Sequence, residues 1–481
     1  MGKKDKIKLD ENRQQLIDAM WATNAEGYEK FVKSAANAKY NLAKYFYHTH
    51  TDMGSPKDAI LTVDQYVETA YAMGAKAIAI SDHGTAYAVY PLYYKCRDYG
   101  IKLILGVEFY LCDDVEDTSK KKHTRKHLVA YAKNRTGWKT ICQLITASND
   151  RIISLPGAKL VYPCISKKLL EEYLAPGTDG HGNVILTSAC IGGVLTGISY
   201  QASTDAQNLA ALEKKYSELK VAIDKYKIAS QAIGQLDADI ANITPVAKRS
   251  FTKVKNYLKK HPDPAAEADL EKQMAETNAA AFKLKELMST LKQAKKVVKD
   301  TQKVLDAAVG HKYAEIEFAE RVLHDQERQI NELKQEMVEP NEYAAYFEKE
   351  ALWYDQLAGH GNWFIELQSH GIAAEKQYMP YLVEVARKHD IPLIAANDAH
   401  MAKREDAEAR KYITALRFNQ WEPLGPGDTE LYLKDDASLY AALASIVPAD
   451  AAWEAMKNRE VIAEQCSVEL NKVDAYPKYS E

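Results

Sequence analysis

Seven short apolar runs, each abutting a metal-liking or acidic side chain, constrain this chain more tightly than anything else in it. Tyr45-Phe46-Tyr47 leads into His48 and His50, Ala77-Ile78-Ala79-Ile80 into Asp82 and His83, and Leu103-Ile104-Leu105 toward Glu108. His127 opens Leu128-Val129-Ala130-Tyr131, and Val184-Ile185-Leu186 precedes Cys190. Trp363-Phe364-Ile365 runs into Glu366 and His370, and Pro392-Leu393-Ile394 into Asp398 and His400. Runs this short, separated by helical periodicity, read as parallel strands buried on both faces. The helical patterns from Val63 to Met73 and from Tyr87 to Tyr99 each close on a glycine, Gly74 or Gly100, as helix ends commonly do. Alternating strands and helices predict an α/β barrel, and ligand residues gathered at strand ends predict a metal site at its mouth.

The spacing supplies a reason for the chemistry. Side chains two apart on a strand share a face, so His48 with His50, and Asp398 with His400, act as pincers on one ion or on two neighbours. Imidazoles, carboxylates and one thiol favour zinc, with manganese or iron as companions in a mixed site. A lone histidine is usually a satisfied structural residue, but the recurrence of such residues on all seven runs outweighs that reading.

In this order the residues resemble the PHP (polymerase and histidinol phosphatase) domain. The resemblance rests on His48-Thr49-His50, Ser81-Asp82-His83-Gly84, Gly106-Val107-Glu108, His127-Leu128, Ser188-Ala189-Cys190, Glu366-Leu367-Gln368 with His370-Gly371, and Asn397-Asp398-Ala399-His400. It covers about residues 44–200 and 346–477. Cys190 in place of histidine, and the Leu-Gln-x-His-Gly string, tilt it toward the PHP domain of the bacterial DNA polymerase III alpha subunit.

The resemblance implies a distorted (β/α)7 barrel, TIM-like, that hydrolyses phosphoesters with two to three divalent ions of zinc, manganese or iron. The implied ligands are His48, His50, Asp58, His83, Glu108, His127, Cys190, Asp398 and His400. Asp52 is the alternative to Asp58, because the segment 52–57 looks one residue longer than the polymerase pattern. His370 is expected to protonate the leaving group or to support the ligands, and Asp82 to orient one of them. The implied activity is 3′ to 5′ cleavage of single-stranded DNA. A phosphomonoesterase using the same metals stays open, as does a non-catalytic scaffold that docks a polymerase or an ATPase.

Within 481 residues, 46% hydrophobic and 27% charged, there is room for more than one domain. Residues 1–43 read as a helical extension with Leu16, Met20, Tyr28, Phe31 and Val32 on its apolar side. Residues 44–202 and 341–401 read as two parts of the barrel, and 402–481 resemble the segment that leads from the polymerase PHP domain into the palm. No palm aspartates follow, so this chain alone is expected not to polymerise DNA. The six cysteines show no C-x-x-C spacing, which argues against a disulfide framework. No apolar run approaches a membrane span and the N-terminus lacks an apolar signal core, so a cytoplasmic protein is expected.

Residues 203–340 interrupt the barrel with helical 3-4 spacing in two arms, predicting an antiparallel coiled-coil hairpin. The first arm runs through Leu209, Leu212, Tyr216, Leu219, Ile223, Tyr226, Ile233 and Ile240, and the second through Leu270, Met274, Thr277, Ala281, Leu284, Met288 and Leu291. Pro245, Pro262 and Pro264 are expected to break the helix between the arms. The tip, residues 246–262, is basic and aromatic, and an arm of about 40 residues would carry it about 60 Å from the base.

A net charge of −4 leaves no global nucleic-acid footprint. Contact with single-stranded DNA must therefore be local. The candidates are Lys122, Arg125 and Lys126 ahead of His127, and Lys253, Lys255 and Lys259 at the tip, where a merely solvated cap and a contact for a polymerase core or another protein partner through the coiled-coil arm stay open as well.

Overall fold

A computed structural model describes residues 7–112, 125–150, 163–310, 315–336, 340–418, 424–425 and 427–470. The chain is a mixed α/β protein, mostly helical, and divides into two compact units, residues 1–203 with 338–481 and residues 204–337.

Among the described residues the first unit holds nine strands: β1 Tyr45–Phe46, β2 Ala77–Ala79, β3 Lys102–Ile104, β4 Gly106–Leu111, β5 Lys126–Ala132, β6 Cys164–Ile165, β7 Val184–Thr187, β8 Trp363–Leu367 and β9 Leu393–Ala395. They form a three-stranded sheet, β1-β2-β3, and a six-stranded sheet, β6-β4-β5-β7-β8-β9. Isolated bridges join Thr49 to Ala399 and His83 to Glu108, linking the sheets beyond β1 and β9 and between β2 and β4. The seven runs all carry strand, but not all of it is parallel. β5 runs antiparallel to both β4 and β7. A strand buried on both faces is apolar throughout whichever way it points, so its sequence does not reveal its direction.

Helices set the ends of the strands. Helix Val63–Ala72 starts on a Thr62–Gln65 capping box, and helix Val89–Tyr99 ends on Gly100 at φ 71°. They bury Tyr66, Val67, Ala70, Val89, Leu92 and Cys96 in a core shared with Ile78, Leu103, Leu105 and Val107.

The N-terminal extension folds into helices Glu11–Ala22, Ala25–Val32 and Ala35–Tyr40. Of its expected apolar side Met20, Tyr28 and Val32 are buried, while Leu16 and Phe31 pack against them half-buried. Tyr28 reaches the C-terminal segment, where its hydroxyl donates to Asp436. Asp436 pairs with Arg459 at 2.8 Å and accepts the backbone N–H of Lys44 at 2.9 Å.

The second unit consists of most of helix Gly197–Ala247, then Thr252–Leu258, Pro264–Val309 and Ile316–Glu336. Two expectations change here. Pro245 lies inside the first helix, which ends at Ala247; one forfeited N–H bond near a helix end does not stop it. In the second arm the stripe slips by one residue twice: Ala280 and Leu287 take the inward positions while Ala281 is exposed and Met288 is 58% exposed, because adjacent apolar residues leave the stripe ambiguous by one residue. A third helix also takes part: Leu219, Ala222 and Ile223 pack with Leu305 and with Ala319 of Ile316–Glu336.

Candidate metal centre

His48 and His50 follow β1, and Asp398 and His400 follow β9. Neither pair lies on regular strand. His48 (φ 54°) and Asp398 (φ 46°) are left-handed, a conformation that costs a non-glycine residue about 1–3 kcal/mol and persists where surrounding structure enforces it. The enforcement is visible: the N–H of Ala399 donates to His48 O (3.0 Å) and that of His50 to Ala399 O (2.8 Å). The pincers converge, with the His48 and His50 ring centroids 5.3 Å apart, but through this stitched turn instead of strand alternation.

Glu108 on β4 is the hub. Its Oε1 lies 3.2 Å from His48 Nε2 and 2.8 Å from His127 Nδ1, and its Oε2 lies 2.6 Å from His83 Nδ1 and 3.5 Å from His50 Nε2. Asp398 Oδ1 sits 3.1 Å from His50 Nε2, 3.4 Å from His48 Nε2 and 3.5 Å from His400 Nδ1. Asp58 Oδ2 approaches His83 Nε2 at 3.3 Å, whereas Asp52 is half-buried and outside these contacts. Cys190 Sγ lies 3.4 Å from His127 Nδ1. The atoms group as His50, His83 and His400, as His48, His50 and Asp398, and as Glu108, His127 and Cys190. All nine expected ligands are thus brought together.

Metal ions fit this cluster. The Nε2 atoms of His48 and His50, both ring nitrogens of His83, both carboxylate oxygens of Glu108 and Oδ1 of Asp398 are buried without a well-formed hydrogen bond among the described residues. Each such atom forfeits about 1–3 kcal/mol unless something meets it, and an imidazole, carboxylate and thiol set suits a divalent first-row ion. Burial pushes the Glu108 carboxyl up, but His127 and His83 outweigh it and hold the group well below its usual range. Burial likewise opposes Asp398, which His48 above all holds down as a carboxylate. Burial pushes His400 down to about 3, leaving it neutral with a lone pair to give. Burial, then Asp398 and Glu108, push the Cys190 thiol well up, so a cation must accompany its ionisation.

A surrounding layer fixes these donors. Glu366 accepts from His48 Nδ1 at 2.6 Å and from Thr187 Oγ1 at 2.7 Å, aiming His48 Nε2 inward. Asp82 does not reach the cluster. Its carboxylate takes the N–H of Thr51 (2.6 Å) and the hydroxyls of Thr51 (2.8 Å) and Ser55 (3.0 Å), and Ser55 Oγ lies 3.2 Å from His50 Nδ1. Both nitrogens of His370 are engaged, Nδ1 with Glu375 at 2.6 Å and Nε2 with the carbonyl of Asn397 at 2.9 Å. That geometry fits a supporting residue and leaves no nitrogen for a leaving group. Lys434 donates to Asn397 Oδ1 at 2.8 Å beside Asp398. Glu366 was legible, since it ends its run as the other donors end theirs; Lys434 carried no sequence signal.

Of the basic run before His127, Lys122 lies outside the described residues and Arg125 is exposed. Lys126 is buried, its ammonium 2.9 Å from Tyr346 Oη, so it is not open to a phosphate backbone. Lys253, Lys255 and Lys259 lie in the second unit and are exposed.

Histidines, carboxylates and a cysteine converging at strand ends define a candidate polynuclear metal centre on a mixed α/β unit. Residues 47–231 match the family model described as PHP domain, and the chain carries a PHP domain over that span. PHP domains usually bind divalent metals. The chain is 34% identical over 146 residues to DNA polymerase III subunit alpha of Campylobacter jejuni, covering 30% of this chain and 11% of that protein. It is 28% identical over 190 residues to the same subunit of Helicobacter pylori (39% and 14%) and 29% identical over 216 residues to that of Aquifex aeolicus (43% and 17%). The chain therefore spans only 11% to 17% of the length of these relatives. Among the described residues no helix is long and apolar enough to cross a membrane.

Proposed function

We propose that this chain is a metal-dependent phosphoesterase that shortens single-stranded DNA from its 3′ end. The observation that carries the reading is the donor set: nine ligand-type side chains in one connected cluster, Asp58 joined to it through His83, with buried inward atoms that lack well-formed hydrogen bonds. His48, His50, Asp58, His83, Glu108, His127, Cys190, Asp398 and His400 would hold two to three ions. Bound divalent ions would supply Lewis acidity for attack on phosphorus and for the leaving oxygen. Glu108 and Asp398, each touching several imidazoles, set the spacing of the donors. Glu366 fixes the ring of His48, Ser55 and Asp82 that of His50, and Asn397 with His370 the backbone at Asp398. The sheets joined beyond β1 and β9 and between β2 and β4 support a distorted (β/α)7 barrel as the frame.

A polynucleotide substrate is favoured over a small phosphomonoester because the matched relatives are DNA polymerase III alpha subunits and Cys190 stands at a ligand position. The test is to load the protein with zinc, manganese or iron and supply 5′-labelled single-stranded DNA beside a chromogenic phosphomonoester. Laddered shortening of the DNA, lost with chelator, supports the reading. Cleavage of the monoester alone points to a small-molecule phosphatase, and no cleavage of either to a structural metal site.

A further inference from the structure

Between Asp239 and Asp263 the sequence holds no acidic residue. Lys248, Arg249, Lys253, Lys255, Lys259 and Lys260 stand in this stretch, all exposed and without an acidic partner among the described residues. Elsewhere in residues 204–337 opposite charges pair, as in Lys227 with Glu320 and Lys334 with Glu213, and a second acid-free run, Lys292, Lys295, Lys296 and Lys299, is shorter and holds no aromatic residue. A cap that served solubility alone would mix charges in the same way, since six uncompensated cations repel one another. An aromatic face lies among them. Helix Thr252–Leu258 is anchored by the buried Leu258, while Tyr257 is 63% exposed with the His261 ring 4.8 Å away. At 100° per residue Lys253, Tyr257 and Lys260 fall along one side of this turn and Lys255 and Lys259 along another, flanking Leu258.

Cations around an exposed ring match a polyanion that carries planar groups. From this we infer that residues 248–261 form a binding site for single-stranded nucleic acid, the lysines meeting phosphates and Tyr257 stacking on an unpaired base. An acidic protein surface would offer the charge but not the unpaired planar rings, and a duplex would keep its bases stacked away.

The full-length chain, stripped of divalent ions so that no turnover occurs, is titrated against labelled dT20, a 20-base-pair duplex and polyglutamate, with salt varied from 50 to 300 mM. The expected slope of log affinity against log salt for dT20 is about −2 or steeper, three or more phosphates at about 0.7 each. Replacing Lys253, Lys255, Lys259 and Lys260 together with glutamine should remove most of that slope. Tyr257→Ala should weaken dT20 binding by about 5- to 150-fold with little change on duplex, and Tyr257→Phe should restore it. Unchanged affinity in these variants overturns the inference. Equal losses on duplex, or polyglutamate binding as tight as dT20 and lost in the same variants, overturn it in favour of a general anion or acidic-protein site. Because binding is read without metal, failure of phosphoester hydrolysis and failure of this site are separate results.

Discussion

Arg459→Met should destabilise the first unit severely while leaving residues 204–337 untouched. Arg459 is 1% exposed, and its guanidinium donates to Asp436 Oδ1 at 2.8 Å, to Tyr45 O at 2.9 Å and to Met456 O at 3.1 Å. Asp436 is equally buried, so methionine fills the space but leaves a carboxylate satisfied only by Tyr28 and the N–H of Lys44. Removing one partner of a buried pair costs about 3–5 kcal/mol, or roughly two to four decades in the folded-to-unfolded ratio. All six tryptophans (Trp21, Trp138, Trp353, Trp363, Trp421 and Trp453) lie outside residues 204–337, so tryptophan fluorescence during urea unfolding follows the first unit. The midpoint should fall with the slope unchanged. Arg387→Ala, which breaks an exposed pair with Asp450, is the control and should move stability by less than about 1 kcal/mol. A loss below about 1 kcal/mol in Arg459→Met would refute the reasoning, because it would mean that Asp436 needs no cation.

Three further outcomes are expected. Elemental analysis should find two to three transition-metal ions per chain, and His50→Ala or Asp398→Asn should abolish metal-dependent phosphoester cleavage with the circular dichroism spectrum kept; less than one ion per chain after supplementation would contradict the site. Glu366→Gln should lower metal affinity about 10- to 100-fold, read by competition with a chromogenic chelator, because His48 loses the carboxylate that orients it. Burial pushes Lys434 down to about 8 against the pull of Glu430, so the unfolded chain binds the extra proton above that pH. Stability should therefore gain up to about 3 kcal/mol as pH rises from about 8 to about 10.5, a gain missing from Lys434→Met, and parallel stability curves for the two proteins would rule this out.

Most of the donors were legible because they flank a short run whose apolar character and metal-liking neighbour lie side by side in sequence; Asp58 flanks none and rested on the family resemblance alone. What holds them was not. Tyr28 and Asp436 are 408 positions apart, and no local pattern announces that an N-terminal helix will cap a carboxylate near the other end. Asp82 carries the chemistry of a ligand, yet its three short hydrogen bonds turn it onto Thr51 and Ser55. The direction of β5 was silent for want of an exposed face. The helical stripe was readable to within one residue, and that residue decides whether Leu287 or Met288 meets water.

The turn that stitches His48 to Ala399 fixes when the centre can come into being during synthesis. Seven of the nine donors emerge from the ribosome by Cys190, but Asp398 and His400 follow some 210 residues later, after the whole of residues 204–337. At about 5–20 residues per second the nascent chain spends roughly 10–40 s with an incomplete set of donors. During that interval His48 and His50 lack the backbone partner that holds them. An ion captured early would meet a loose, partial site, so the closing of β9 against β1 is the step after which the right ions can be kept.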